Sequence, residues 1–188
     1  MQVIAGSARG VVLRQPRGLK TRPTSGRLRE SLFSILEAAG ADFTEVLDLY
    51  AGTGALGIEA LSRGDGRCTF VETDARAVEA IRDNVRRAGF EDRSTVVAAR
   101  VGRWKPPPDT HYTLVTADPP YDDGQAWAAI AATVVHALAA DATLAVEHSA
   151  RVPSPDVLAG LDRWRERRQG DGAVALYRAQ PPVGEDAA

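Results

Sequence analysis

The sequence predicts an α/β protein, with a mostly parallel sheet covered by helices on both faces. Three observations carry this. From Glu45 onward, short apolar runs of strand length alternate with helical patterns. A glycine-rich loop, Gly52-Thr53-Gly54-Ala55-Leu56-Gly57, directly follows the first of those runs and opens a helix. The turn Asp118-Pro119-Pro120-Tyr121 directly follows a later run, where two residues without N–H groups stop a strand at its carboxyl end. At 188 residues, 44% of them apolar and 26% charged, the chain is long enough for one domain with a full core.

Residues 1–20 are expected to form a basic β-hairpin extension. Gln2-Val3-Ile4-Ala5 and Val11-Val12-Leu13 would pair across a turn that contains Gly6 and Gly10. The main domain would span residues 21–180, with residues 181–188 as a flexible tail. Thr24 or Ser25 can cap a helix running to about Ala39, with Leu28, Leu32, Phe33, Ile35 and Leu36 as its apolar stripe and Gly40 at its end. Glu45–Tyr50 reads as the first core strand, and the glycine loop opens a helix to about Arg63. Arg67–Glu72 is the second strand; Asp74 then caps a helix that Gly89 ends, with Ala77, Val78, Ile81 and Val85 on one side. Ser94–Ala98 is the third strand, and the rigid Lys105-Pro106-Pro107-Pro108 loop leads to the fourth, Tyr112–Ala117. An alanine-rich helix is expected from Gln125 to Ala140 and a fifth strand from Ala142 to Glu147. Two weaker strands, around Arg163-Trp164-Arg165 and Ala173–Tyr177, have no helix between them and imply an antiparallel hairpin at one edge.

The formal charge is −2, but it is unevenly distributed. Residues 1–30 hold Arg9, Arg14, Arg17, Lys20, Arg22, Arg27 and Arg29 against Glu30, a charge of +6, which leaves −8 on the rest. A basic end on an acidic body suggests a localised phosphate-binding surface; the alternative is a solvated basic arm. There is no run of eighteen apolar residues and no signal-peptide pattern, which points to a cytoplasmic protein. Cys68, the one cysteine, sits in an apolar run and reads as a buried thiol, with too few ligands for a metal site.

The chemistry is concentrated at the ends of two strands. Asp118 and the Pro119 carbonyl can accept hydrogen bonds from an exocyclic NH2, and Tyr121 can stack on a ring, a set suited to an amine on an aromatic base. The glycine loop allows a ligand to approach the backbone, and Glu72, twenty residues after Gly52, is placed to bind ribose hydroxyls. A nicotinamide-dependent enzyme would show those two features as well. Asp48-Leu49-Tyr50-Ala51-Gly52-Thr53-Gly54 resembles the first motif of S-adenosylmethionine-dependent methyltransferases, Glu72-Thr73-Asp74 resembles their second, and Asp118-Pro119-Pro120-Tyr121 resembles the signature of those that modify exocyclic amines of nucleobases. The resemblance implies the seven-stranded, Rossmann-like class I methyltransferase sheet. It places Asp48, Tyr50, Ala51, Gly52, Thr53, Gly54, Glu72, Thr73, Arg100 and Asp118 around S-adenosylmethionine, with Asp48 holding the ammonium-bearing methionine end. Asp118, Pro119, Pro120 and Tyr121 form the catalytic turn. The sequence departs from the pattern after the third strand: Ala98-Ala99-Arg100-Val101 stands where many relatives place an Asp or Asn near adenine.

Over about residues 2 to 178, the basic N-terminal segment, the Arg22–Phe33 stretch and the Asp48–Gly57 stretch resemble the bacterial RsmD enzymes, which methylate N2 of a guanine in 16S ribosomal RNA. That resemblance implies a monomer acting on an assembled or partly assembled small subunit. Two alternatives remain: a DNA methyltransferase acting on adenine N6 or cytosine N4, and a non-catalytic RNA-binding assembly protein. His148, just after the fifth strand, is the histidine expected nearest the site; His111 and His136 read as structural or solvated.

Overall fold

A computed structural model of the chain describes residues 1–15 and 26–179. The elements run α1 (Gly26–Ala38), β1 (Glu45–Leu49), α2 (Ala55–Arg63), β2 (Arg67–Glu72), α3 (Ala75–Ala88), β3 (Ser94–Ala98), β4 (Tyr112–Ala117), α4 (Ala126–Val134), β5 (Leu138–Ser149), β6 (Val157–Leu158), β7 (Leu161–Gln169) and β8 (Gly172–Arg178). The strands form one sheet in the order β3-β2-β1-β4-β5-β8-β7-β6. The first five are parallel to their neighbours, and β8, β7 and β6 add antiparallel pairs. The expected closing hairpin is therefore present, and the two-residue β6 makes eight strands where seven were expected.

Successive strand residues feed opposite cores, because side chains alternate across a strand. Val46, Cys68, Phe70, Leu114, Ala145, Val174 and Leu176 pack with α1, α2 and α3 on one face. Leu47, Leu49, Val71, Val115, Leu144, Val146 and Tyr177 pack with Ile130 and Val134 of α4 on the other. Helix α3 begins where the Asp74 carboxylate accepts from the N–H groups of Arg76 and Ala77, and it ends at Gly89 in the left-handed conformation. Cys68 is buried.

One boundary differs from the sequence reading. Helix α4 stops at Val134, and the chain is already in β5 at Leu138, opposite Tyr112. Pairing of Leu138 with Tyr112 of the buried β4 outweighs the helix preference of the alanines that follow, and Ala139 and Ala140 lie at the register irregularity before Thr143 pairs with Leu114.

The N-terminal segment turns back on itself through one antiparallel bridge, Gln2 with Val12. Val3, Ala8 and Leu13 are buried in the core on the α1–α2–α3 face. The segment is bonded to α2: the Glu59 carboxylate accepts from the N–H groups of Ile4 (2.8 Å) and Ala5 (3.0 Å), and Ser62 Oγ accepts from Ala8 N–H (2.9 Å). Gly6 has φ +81°, and a Cβ there would collide with the Ser62 carbonyl, so only glycine fits. Arg17, Lys20, Arg22, the capping Thr24 or Ser25 and the expected tail lie outside the described residues.

Glu59 also neutralises two buried cations. It pairs with Arg63 at 3.0 Å and lies 3.8 Å from Arg29, whose side chain is 2% exposed. Removing one member of a buried ion pair leaves the other charge uncompensated. Glu59→Ala is expected to lower the unfolding free energy by about 3–5 kcal/mol in urea titration, and a loss below about 1 kcal/mol would show that the arm is not anchored there.

Candidate active site

The glycine loop lies at the carboxyl ends of β1 and β2, where open α/β sheets bind ligands. Its path is set by left-handed backbone at Tyr50 (φ 54°), Gly52 (φ 56°) and Gly54 (φ 76°). The loop glycines have different jobs. A Cβ on Gly52 would meet only the Tyr50 carbonyl, at 3.9 Å, so its surface stays open to a ligand. A Cβ on Gly57 would overlap the Phe70 ring and Cys68, so that glycine allows α2 to lie close on β2.

Two carboxylates hold the loop. Glu72, at the end of β2, accepts from Gly52 N–H (2.8 Å) through one oxygen and from Thr73 (2.6 Å) and Asp74 (2.9 Å) N–H through the other. Asp48 lies beneath the loop and is 1% exposed. It accepts from Gly57 N–H at 2.9 Å and from the Thr116 hydroxyl at 2.9 Å. Burial pushes its carboxyl up to about 7 against those two donors. The sequence reading placed Asp48 in contact with a cationic ligand. Buried as it is, it positions the loop from below and does not line the cavity.

The cavity above the strand ends measures about 650 Å³, within the usual range for small-molecule sites. Tyr50, Gly52, Glu72, Thr73 and Arg100 line it on the loop side, and Asp118, Pro119, Pro120 and Tyr121 line it on the β4 side. Ala51, Thr53 and Gly54 support the loop without lining it. Ala99 and Val101 flank Arg100 in the wall, so the segment that lacks the usual Asp or Asn still reaches the cavity. Burial, with nearby Asp123, pushes the Tyr50 phenol up to about 12 and keeps it a neutral donor.

Glu147 was missed. It ends the apolar part of β5 at the same level as Asp118, a position of the kind that singled out Glu72, but no motif marks it. It is 6% exposed, and its Oε1 accepts from the Tyr121 hydroxyl at 2.9 Å. The bond fixes a ring that is otherwise 36% exposed. Gly172 leaves the room it needs, since a Cβ there would lie 2.7 Å from the Tyr121 oxygen. His148 points to the opposite face. It is buried against Trp127 with Nδ1 near the Ser149 (3.0 Å) and Val152 (3.1 Å) carbonyls, so it is not part of the site.

The basic residues separate. Arg9 and Arg27 are exposed, and Arg14 pairs with Asp83 at 3.4 Å. Arg29, grouped with them on charge, is 2% exposed, lies 3.8 Å from Glu59 and donates to the Gln2 carbonyl at 2.6 Å. Asn84 on α3 connects the arm to the loop: it accepts from Arg14 N–H (2.7 Å) and donates to the carbonyls of Arg14 (3.0 Å) and Thr53 (2.9 Å).

Asp48 gives a pH signature. Its folded-state pKa lies above the unfolded value, so the unfolded chain ionises first. The group's contribution to stability is full below about pH 4 and is lost as pH rises to about 7. Asp48→Asn is expected to remove that component, flattening the pH dependence of urea stability across this window. An unchanged slope would mean that the carboxyl ionises normally.

The site can be set beside known proteins. A family model described as conserved hypothetical protein 95 matches residues 1–178. The Escherichia coli protein named ribosomal RNA small subunit methyltransferase D is 32% identical over 190 residues, spanning 100% of this chain and 94% of its own. Bacillus subtilis YlbH is 32% identical over 184 residues, spanning 95% of this chain and 98% of its own. The solved structure of Escherichia coli yhhF matches with a TM-score of 0.82 at 31% identity, covering 96% of this chain and 98% of that one. The chain belongs to the RsmD-like methyltransferase family, and its methyl donor is S-adenosylmethionine.

Proposed function

We propose that the chain methylates the exocyclic N2 amine of a guanine in 16S ribosomal RNA, acting as a cytoplasmic monomer on an assembled or partly assembled small subunit. Support comes from the relative named "Ribosomal RNA small subunit methyltransferase D" and the relative named "Putative rRNA methyltransferase YlbH", matched over 100% and 95% of the chain. The observation that carries the reading is that the Asp118–Tyr121 turn and the Gly52–Glu72 loop are opposite walls of one cavity.

The residues fit the methyl donor. The open surface of Gly52 admits it close to the backbone, and the Glu72 carboxylate suits the two ribose hydroxyls. Tyr50, Arg100 and Val101 would flank the adenine. Bound there, S-adenosylmethionine supplies an electrophilic methyl carried on a sulfonium.

The remaining work falls to the β4 turn. A guanine N2 lone pair is delocalised into its ring and is a poor nucleophile. Asp118 and the Pro119 carbonyl accept from the two N2 hydrogens, which favours a pyramidal nitrogen whose lone pair points out of the ring plane. Asp118 then takes up the proton that the nitrogen loses. Tyr121 stacks on the unstacked base, and Glu147 holds that ring in place. Alignment of the two reactants supplies much of the rate gain.

The test is nucleoside analysis after incubation with small subunits, naked 16S RNA and DNA. N2-methylguanosine from the ribosomal substrates is expected; methylated adenine or cytosine from DNA would overturn the assignment. Asp118→Ala is expected to abolish transfer while affinity for S-adenosylhomocysteine stays within a few fold. Tyr121→Ala should lose stacking of about 1–3 kcal/mol, and Tyr121→Phe should fall between it and the wild type, having kept the ring but lost its anchor.

A further inference from the structure

We propose that the closing hairpin carries a phosphate-binding track, Arg165 and Arg167 on β7, for the RNA strand beside the acceptor nucleotide. The inference rests on the ribosomal RNA reading above.

Strand β7, Leu-Asp-Arg-Trp-Arg-Glu-Arg-Arg-Gln, holds four arginines. In a regular strand Arg163, Arg165 and Arg167 would share one face. A register shift between Arg163 and Arg165 breaks that pattern. Arg163 lies opposite Tyr177, which belongs to the α4 face, whereas Arg165 and Arg167 lie opposite Leu176 and Val174, which belong to the α1 face. The two groups then differ in their partners. Arg163 pairs with Asp156 at 2.6 Å, and Arg168 pairs with Glu166 at 2.7 Å. Arg165 and Arg167 are exposed, and among the described residues neither has an acidic partner.

Their position links them to the cavity. Glu147, Val174 and Arg167 occupy one rung of the sheet, on β5, β8 and β7. Two inter-strand steps of about 4.8 Å place the Arg167 backbone about 10 Å from that of Glu147. Leu28 lies 3.3 Å from where a Gly172 side chain would begin, so the start of α1 with its exposed Arg27 flanks the same end of β8.

Electrostatics selects the occupant. Glu72, Asp118, Asp122, Asp123 and Glu147 make the cavity acidic, so it takes a base with amine donors and repels phosphate. A nucleotide can enter only if its flanking phosphates are held outside, and uncompensated arginines two strands away do that. Phosphate oxygens also match the fork of a guanidinium.

The experiment is binding of wild-type protein and variants to 30S particles over a range of salt concentrations. Each lost phosphate contact lowers the slope of log K against log salt by about 0.7–0.9, so R165A/R167A should lower it by about 1.4–1.8. R165K/R167K should keep most of the slope, and R168A, on the other face, should keep all of it. Melting temperature and affinity for S-adenosylhomocysteine should not change in any variant. An unchanged slope in R165A/R167A, or an equal drop in R168A, would overturn the inference while leaving the ribosomal reading standing. Failure of the wild type itself to bind 30S particles would overturn both.

Discussion

The buried Asp48 carboxylate joins the two halves of the site. One oxygen takes the N–H of Gly57 in the first turn of α2, and the other takes the hydroxyl of Thr116, two residues before Asp118. The glycine loop and the Asp118–Tyr121 turn are thereby registered on one side chain. The position of the carboxylate at the start of a helix adds to its stability, since the helix dipole favours negative charge there. Burial opposes ionisation strongly enough to bring the group to about 7, so only the two donors keep the charged form accessible near neutral pH.

The same economy extends to the N-terminal segment. By charge it looks like an appended arm, yet Glu59 and Ser62 bind it to α2, and Asn84 holds both Arg14 and the carbonyl of Thr53 in the glycine loop. Asn84 thus ties the arm to the loop, and the arm's exposed charges are best tested one side chain at a time.

Much of this was legible in the sequence. Strands β2, β3 and β4 match their expected limits because each is an apolar run between strong boundary signals, such as Gly66 before Arg67 and Pro119 after Asp118. Helix α3 was readable from Asp74 and Gly89. What was hidden depends on tertiary context. The end of α4 follows from pairing with Tyr112. The burial of Arg29 and Asp48 follows from what packs over them, which charge and motif do not encode. Glu147 lacks a motif, and the register shift in β7, which sorts its arginines between two faces, leaves no local mark in an already irregular, charged strand.

The most direct measurement is calorimetric titration of the wild type and Glu72→Ala with S-adenosylhomocysteine and with NADH. The wild type is expected to bind one S-adenosylhomocysteine and no NADH, because the loop lies over a buried acid that disfavours a pyrophosphate. Glu72→Ala should weaken binding at least about tenfold, the equivalent of one charge-assisted hydrogen bond. Binding of NADH by the wild type, or unchanged affinity in the variant, would contradict this view of the site.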